Sequence, residues 1–276
     1  MTTLSHHREG SGEPLVLIHG LGSRWQVWQP VLPLLRGSFD VVALDLPGFG
    51  ASPAGGGADV GTLADAVLRF AAGAFPGACS GARACSGARA FHVAGSSLGG
   101  GVALELGRRG AARSVTAFAP IGFWGPASRR WCQASVTAAR TFGRLARPAL
   151  PTLAASRFGR AALFGMFFGH PGRLDPAAAV ADVDALVAAP GFHAARDAFA
   201  GHRFSSDLGA LSGVPVTVAW GTRDAILPPF QARRAAAALP AARHVRLAGC
   251  GHLPFSDAPT TCATLIRTTT TTTTGG

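Results

Sequence analysis

Three residues far apart in the chain, Ser97, Asp224 and His252, have the types and settings that nucleophilic catalysis requires. Ser97 is the centre of Gly95-Ser96-Ser97-Leu98-Gly99, a Gly-x-Ser-x-Gly pentapeptide. Upstream, residues 90–94 (Ala-Phe-His-Val-Ala) read as a short buried strand. Downstream, residues 98–109 carry Val102, Leu104 and Leu106 in the manner of a packed helix. A serine on such a strand-to-helix turn is forced into a strained backbone, and flanking glycines let the chain turn without side-chain clash. Its hydroxyl then stands at a helix N-terminus, where free N–H groups can meet an anion. The pentapeptide alone is common by chance in a chain with 37 glycines, so the strand and helix around it carry the reading.

A serine nucleophile needs a base, and the base needs an orienting acid. Residues 214–221 (Val-Pro-Val-Thr-Val-Ala-Trp-Gly) are strand-like by β-branched content, and Asp224 follows in the next loop. Residues 244–247 form another short strand, with His252 just beyond it in Gly249-Cys250-Gly251-His252. The order is Ser, Asp, His, each after a strand. A doubly wound parallel sheet gathers a site at the carboxyl ends of its strands in this way. His252 would take the proton of Ser97 during attack on a carbonyl and return it to the leaving group, with Asp224 fixing the imidazole tautomer.

Four further segments join this pattern: His19-Gly20-Leu21-Gly22, Asp45-Leu46-Pro47-Gly48-Phe49-Gly50-Ala51-Ser52, Trp220-Gly221-Thr222-Arg223-Asp224 and the histidine loop. Together with the serine turn, and in this order, they resemble the α/β-hydrolase superfamily over most of the chain. The resemblance implies an α/β fold, a mostly parallel doubly wound sheet with an inserted helical cap, and a serine hydrolase. The haloalkane dehalogenases and epoxide hydrolases of this fold place an aspartate where Ser97 stands, which argues against both activities. The resemblance also makes residues 19–22 the oxyanion loop. The backbone N–H groups of Leu98 and Leu21 are then the expected oxyanion donors.

Rival residues have simpler roles. The turn points Ser96 away from the site. Asp257 reads as a solvated loop position. The strand at 115–118 is followed by Ala119-Pro120-Ile121-Gly122 without a carboxylate, which leaves Asp224 as the acid. His19 is read as a structural side chain beside the oxyanion loop and His92 as a core or edge side chain. The remaining histidines show no ligand spacing with carboxylates or cysteines, so neither a metal nor another cofactor is expected.

At 276 residues the chain can bury a full core as one α/β domain. Hydrophobic content of 48% against 14% charged residues excludes a disordered chain. No apolar run reaches the length of a membrane span, and residues 1–19 do not read as a signal peptide, so a cytoplasmic location without membrane partners is expected. Cys79, Cys85, Cys132, Cys250 and Cys262 are odd in number and lack zinc-like pairing, which fits reduced thiols. The net charge of +11 comes from arginines alone, scattered in ones and twos without interleaved aromatics; nucleic acid is not an expected partner. A small-molecule substrate is, and the oligomeric state is left open.

The sheet reads as residues 15–18, 40–44, 91–94, 115–118, 214–220 and 245–247, with helices near 28–35, 63–74 and 98–109. Residues 1–121 and 208–267 are assigned to the hydrolase core, and residues 122–207, too long for a simple crossover, to the helical cap. Phe123, Trp124, Trp131, Phe142, Phe158, Phe164, Phe167 and Phe168 crowd that insertion and favour an apolar substrate. The hexamer Ala-Cys-Ser-Gly-Ala-Arg occurs in tandem at residues 78–89 and reads as a lengthened loop. The threonine and glycine tract at 268–276 is expected to be disordered, leaving a final helix of about two turns around Cys262, Leu265 and Ile266. The expected activity is hydrolysis of an ester-type bond of a small to medium apolar substrate through an acyl-enzyme. Carbon–carbon bond hydrolysis, cofactor-free perhydrolysis and a non-catalytic ligand-binding role are the alternatives.

Overall fold

The apolar runs pair into one seven-stranded sheet, β1 (His6–Glu9), β2 (Glu13–Ile18), β3 (Phe39–Leu44), β4 (Phe91–Ser96), β5 (Ala112–Phe118), β6 (Val216–Gly221) and β7 (Arg243–Leu247). The computed structural model describes residues 4–76, 91–204, 208, 211 and 213–271, so the tandem hexamer lies outside the described residues. The strand order is β1-β3-β2-β4-β5-β6-β7, with β1 antiparallel to β3 and every other pair parallel. Sequence reading passes over β1 because His-His-Arg-Glu offers no apolar alternation; it is an edge strand held by its register on β3.

The chain carries ten α-helices among the described residues: α1 (Leu32–Leu35), α2 (Val60–Ala74), α3 (Leu98–Arg108), α4 (Pro126–Ala146), α5 (Leu150–Ala155), α6 (Arg157–Phe164), α7 (Pro176–Ala188), α8 (Phe192–Gly201), α9 (Gln231–Ala238) and α10 (Pro259–Thr271). Where one helix is expected at 28–35, the structure has a 3₁₀ turn, Trp25–Trp28, and the single turn α1. Pro30 and Pro33 explain the break, since each lacks an amide proton and restricts the residue before it.

Side-chain alternation along the central strands splits the core in two. Val16, Ile18, Val42, Leu44 and Val93 pack with Leu63 and Val67 of α2 and Val102 and Leu106 of α3. Leu15, Leu17, Val41 and Ala43 face the other way, against Trp28, Leu35, Phe255, Leu265 and Ile266. Between β5 and β6 the chain leaves the sheet for α4 to α8. Phe123, Trp124, Phe192 and Phe199 from that excursion are buried with the first core layer, whereas Phe164, Phe168 and Val183 form a small core of their own.

The end of the chain corrects the expected disordered tract. Helix α10 continues through Thr271, and Thr269 and Thr270 are buried. Thr269 Oγ1 lies 2.7 Å from both the Leu265 carbonyl oxygen and Thr217 Oγ1 of β6. Threonines of low apolar content are ordered here because their hydroxyls find helix carbonyls and a strand partner. Residues 272–276 lie outside the described residues.

Candidate active site

Ser97 has φ 54° and ψ −115°, a left-handed backbone rare for a residue with a side chain. Neighbouring bonds over-determine it. The Ser97 N–H donates to the Phe118 carbonyl (2.9 Å), and its carbonyl accepts from Gly101 (3.0 Å) and Ile121 (3.1 Å). The flanking glycines are required by close approach. A Cβ on Gly95 would lie 2.0 Å from the Gly99 carbonyl oxygen, and one on Gly99 would lie 2.3 Å from that of Ile18. Ser96, the last residue of β4, is fully buried.

The sheet order reverses between β2 and β4, because β3 pairs on one side of β2 and β4 on the other. A crevice opens outside the strand ends at such a point. The loop after β2 reaches into it. A Cβ on Gly20 would come within 3.1 Å of Ser97 Cβ, so Leu21 stands one residue from the serine contact. Leu98 is the first residue of α3, where an N–H has no partner within the helix.

His19 holds that loop. Its Nε2 accepts from the Leu46 N–H (3.0 Å), and its Nδ1 donates to the Gly20 carbonyl (2.7 Å), so the neutral tautomer is fixed by its two partners. Burial pushes its pKa down, against the opposing pull of Gly20 and Asp45. Asp45 anchors the next segment, accepting from the Trp25 N–H (2.7 Å) and the Ala51 N–H (3.0 Å). His92 sits near the other end of the sheet, beside Ser114 Oγ (2.8 Å) and Glu13 (3.3 Å), in a core position.

The acid and the histidine meet. His252 Nδ1 lies 2.8 Å from Asp224 Oδ2, with both side chains buried. Asp224 Oδ1 accepts from the Ile226 N–H (2.9 Å) and the Leu227 N–H (2.8 Å), and Trp220 Nε1 donates to the Leu227 carbonyl (2.8 Å) to close the loop. Both loops follow strands parallel to β4, so they emerge at the edge of the sheet that carries Ser97.

A family model described as the alpha/beta hydrolase family matches residues 15–265. The chain belongs to the α/β-hydrolase family. It is 48% identical over 46 residues to the pimeloyl-(acyl-carrier protein) methyl ester esterase of Legionella pneumophila (strain Lens), a match covering 17% of this chain and 19% of that protein. It is 32% identical over 269 residues to the dihydrolipoyllysine-residue acetyltransferase component of the acetoin cleaving system of Cupriavidus necator, covering 94% of this chain and 64% of that protein. The chain therefore spans less than two thirds of the length of these curated relatives. The solved esterase RhEst1 from a Rhodococcus species shares the fold at a TM-score of 0.74 and 23% identity, over 98% of this chain and 95% of that one.

Asp257 of this α/β-hydrolase family member is not a solvated loop residue. Its carboxylate accepts from the N–H groups of Gly169 (2.8 Å), His170 (2.8 Å) and Gly251 (2.9 Å), tying the loop after α6 to the histidine loop. The Leu253 N–H donates to the Phe167 carbonyl (2.9 Å), a second tie beside His252. Sequence reading misses this role because the three donors are main-chain groups, two of them about 88 residues away.

A cavity of about 230 Å³ opens beside these loops, with Leu21, Val27, Phe142, Phe167, Leu186 and Leu253 in its wall. Of the aromatics in the insertion, Phe142, Phe164, Phe167 and Phe168 line it. Phe123 and Trp124 pack into the main core instead, and Trp131 and Phe158 keep large exposed surfaces. Cys132, Cys250 and Cys262 are buried free thiols; burial pushes Cys132 up to about 12 and Cys250 up to about 11. Among the described residues, no group of three His, Cys, Asp or Glu could hold a metal ion, and no helix is long and apolar enough to cross a membrane.

Proposed function

We propose that this α/β-hydrolase cleaves esters of small to medium apolar acyl groups through a Ser97–His252–Asp224 triad. The observation that carries the reading is the buried 2.8 Å contact between His252 and Asp224, on the sheet edge where Ser97 is held at φ 54°. Ser97 Oγ attacks the ester carbonyl as His252 Nε2 takes its proton. The oxygen charge that develops is met by the N–H groups of Leu21 and Leu98. The proton passes to the departing alcohol as the C–O bond breaks and leaves an acyl-enzyme. Water, deprotonated by His252, then attacks the acyl carbon, and Ser97 regains its proton.

The acyl chain enters the 230 Å³ cavity, under a cap formed by residues 122–207. The similarity to a methyl ester esterase supports ester chemistry, and the apolar wall supports an apolar acyl group. Buried free thiols support a reducing, cytoplasmic setting. Purified protein assayed on p-nitrophenyl esters of graded length tests this. Activity should rise by up to about fourfold per methylene buried until the cavity is full. Turnover of no ester, or turnover unaffected by Ser97→Ala, would overturn the reading.

A further inference from the structure

One wall of the cavity carries a charge. Asp182 of α7 lines it among Val27, Phe142, Phe164 and Leu186. Leu186 lies one turn further along the same helix face, and its Cδ1 would sit 2.3 Å from a Cβ on Gly22, the residue after Leu21. Asp182 is therefore a helical turn, about 5.4 Å along the axis, from the part of α7 that touches the oxyanion loop. Arg24, on the same stretch of chain as that loop, places Nη2 3.2 Å from Asp182 Oδ1. Among the described residues, Oδ2 makes no hydrogen bond, and Arg24 Nε is buried with no partner.

The Asp182 side chain keeps 42% of its surface exposed at the cavity wall, so its pair with Arg24 is screened by water and adds little to stability. Partial desolvation at the cavity wall, opposed by Arg24, lifts the Asp182 carboxyl above its ordinary range, while its side chain stays accessible from the cavity. A cavity meant for hydrocarbon alone would do better with leucine. The guanidinium occupies one carboxylate oxygen and leaves the other free to accept.

Resting on the ester reading above, we propose that Asp182, held by Arg24, is a specificity-determining residue that accepts a hydrogen bond from the hydroxyl of a hydroxyacyl ester. The pocket thereby takes acyl chains bearing a hydroxyl at one position along their length. It disfavours chains ending in a carboxylate, which would meet Asp182 as a like charge.

The test compares the full chain with Asp182→Leu and Asp182→Asn on p-nitrophenyl alkanoates, on hydroxyalkanoates with the hydroxyl moved carbon by carbon, and on half-esters of dicarboxylic acids. The intact protein should favour one hydroxylated position over the unsubstituted chain. In Asp182→Leu the ratio of kcat/KM values, hydroxylated over unsubstituted, should fall about tenfold or more, as expected for loss of a hydrogen bond to a charged group. Activity on the unsubstituted ester should rise. Asp182→Asn, which keeps an acceptor oxygen, should fall between. If Asp182 only ties α7 to the oxyanion loop, the variants lose thermal stability but keep the ratio, which overturns the proposal. A preference for dicarboxylate half-esters overturns it too. Calorimetric binding of methyl hydroxyalkanoates and methyl alkanoates to Ser97→Ala is read independently of turnover. Tighter binding of the hydroxylated ester, lost in Asp182→Leu, supports the proposal even if no ester is hydrolysed, an outcome that would refute the ester reading alone. Equal binding overturns the proposal.

Discussion

Asp224 divides its two oxygens between two tasks, with Oδ2 2.8 Å from His252 Nδ1 and Oδ1 receiving the N–H groups of Ile226 and Leu227. Asp224→Asn puts this division in conflict. The single amide oxygen is needed by the two N–H groups, so the NH₂ turns toward His252 Nδ1. That nitrogen must then accept, Nε2 carries the proton, and it can no longer take one from Ser97. The variant should fold normally and lose about 10⁴-fold in kcat. Steady-state assays beside a thermal melt check both halves.

Ser97→Ala should cut turnover by about 10⁴- to 10⁶-fold, with a residue of activity from binding and the oxyanion donors. Stability separates two variants. Ser97→Gly relieves the left-handed backbone that alanine still has to adopt, so it should be more stable than Ser97→Ala by about 1 kcal/mol. Urea titration of the pair is the measurement. Equal midpoints would mean that φ 54° stores no strain.

Asp257→Ala removes the acceptor of three main-chain N–H groups and should cost about 2–4 kcal/mol. Hydrogen exchange should quicken in residues 167–170 and 249–252, the two loops it joins. If Asp257 acts only as a brace, Asp257→Asn retains far more kcat than Asp224→Asn does.

Stability should depend on pH through His19 and His92, both held below the ordinary imidazole value chiefly by burial. Such groups stay neutral in the folded chain, while the unfolded chain binds protons as pH drops below about 6.5. Their contribution is complete above that pH and is lost below it, by up to about 1.4 kcal/mol per pH unit for each histidine. Asp59 and Glu105, with lowered carboxyl values, add losses in the same direction only in more acidic solution, and Asp182, raised, opposes them. Urea midpoints between pH 8 and 5 should show the slope, and His19→Gln should flatten it.

Thr269→Ala leaves the Thr217 hydroxyl of β6 buried without its partner and should cost about 1–3 kcal/mol. Truncation before residue 268 should cost more, since Thr270 is buried as well. A truncated chain as stable as the full one would show that the last turn of α10 contributes nothing.

The sequence by itself determined the strand-to-helix turn at Ser97, the order of Ser97, Asp224 and His252 along the chain, and the core strands, because these depend on local chemistry. Glycines around Ser97 and the β-branched runs of β2 to β6 are legible residue by residue. Tertiary structure decided what depends on distant main-chain groups. Asp257 became a brace only when Gly169, His170 and Gly251 were brought to it, and β1, without an apolar pattern, became a strand only against β3. Residues 268–271 became helix because the Thr269 hydroxyl reaches Thr217 and the carbonyl of Leu265. Composition told that some aromatics of the insertion would be apolar wall. Packing alone assigned Phe142, Phe164, Phe167 and Phe168 to the cavity and Phe123 and Trp124 to the core, because which way a side chain faces is set by what its helix rests on.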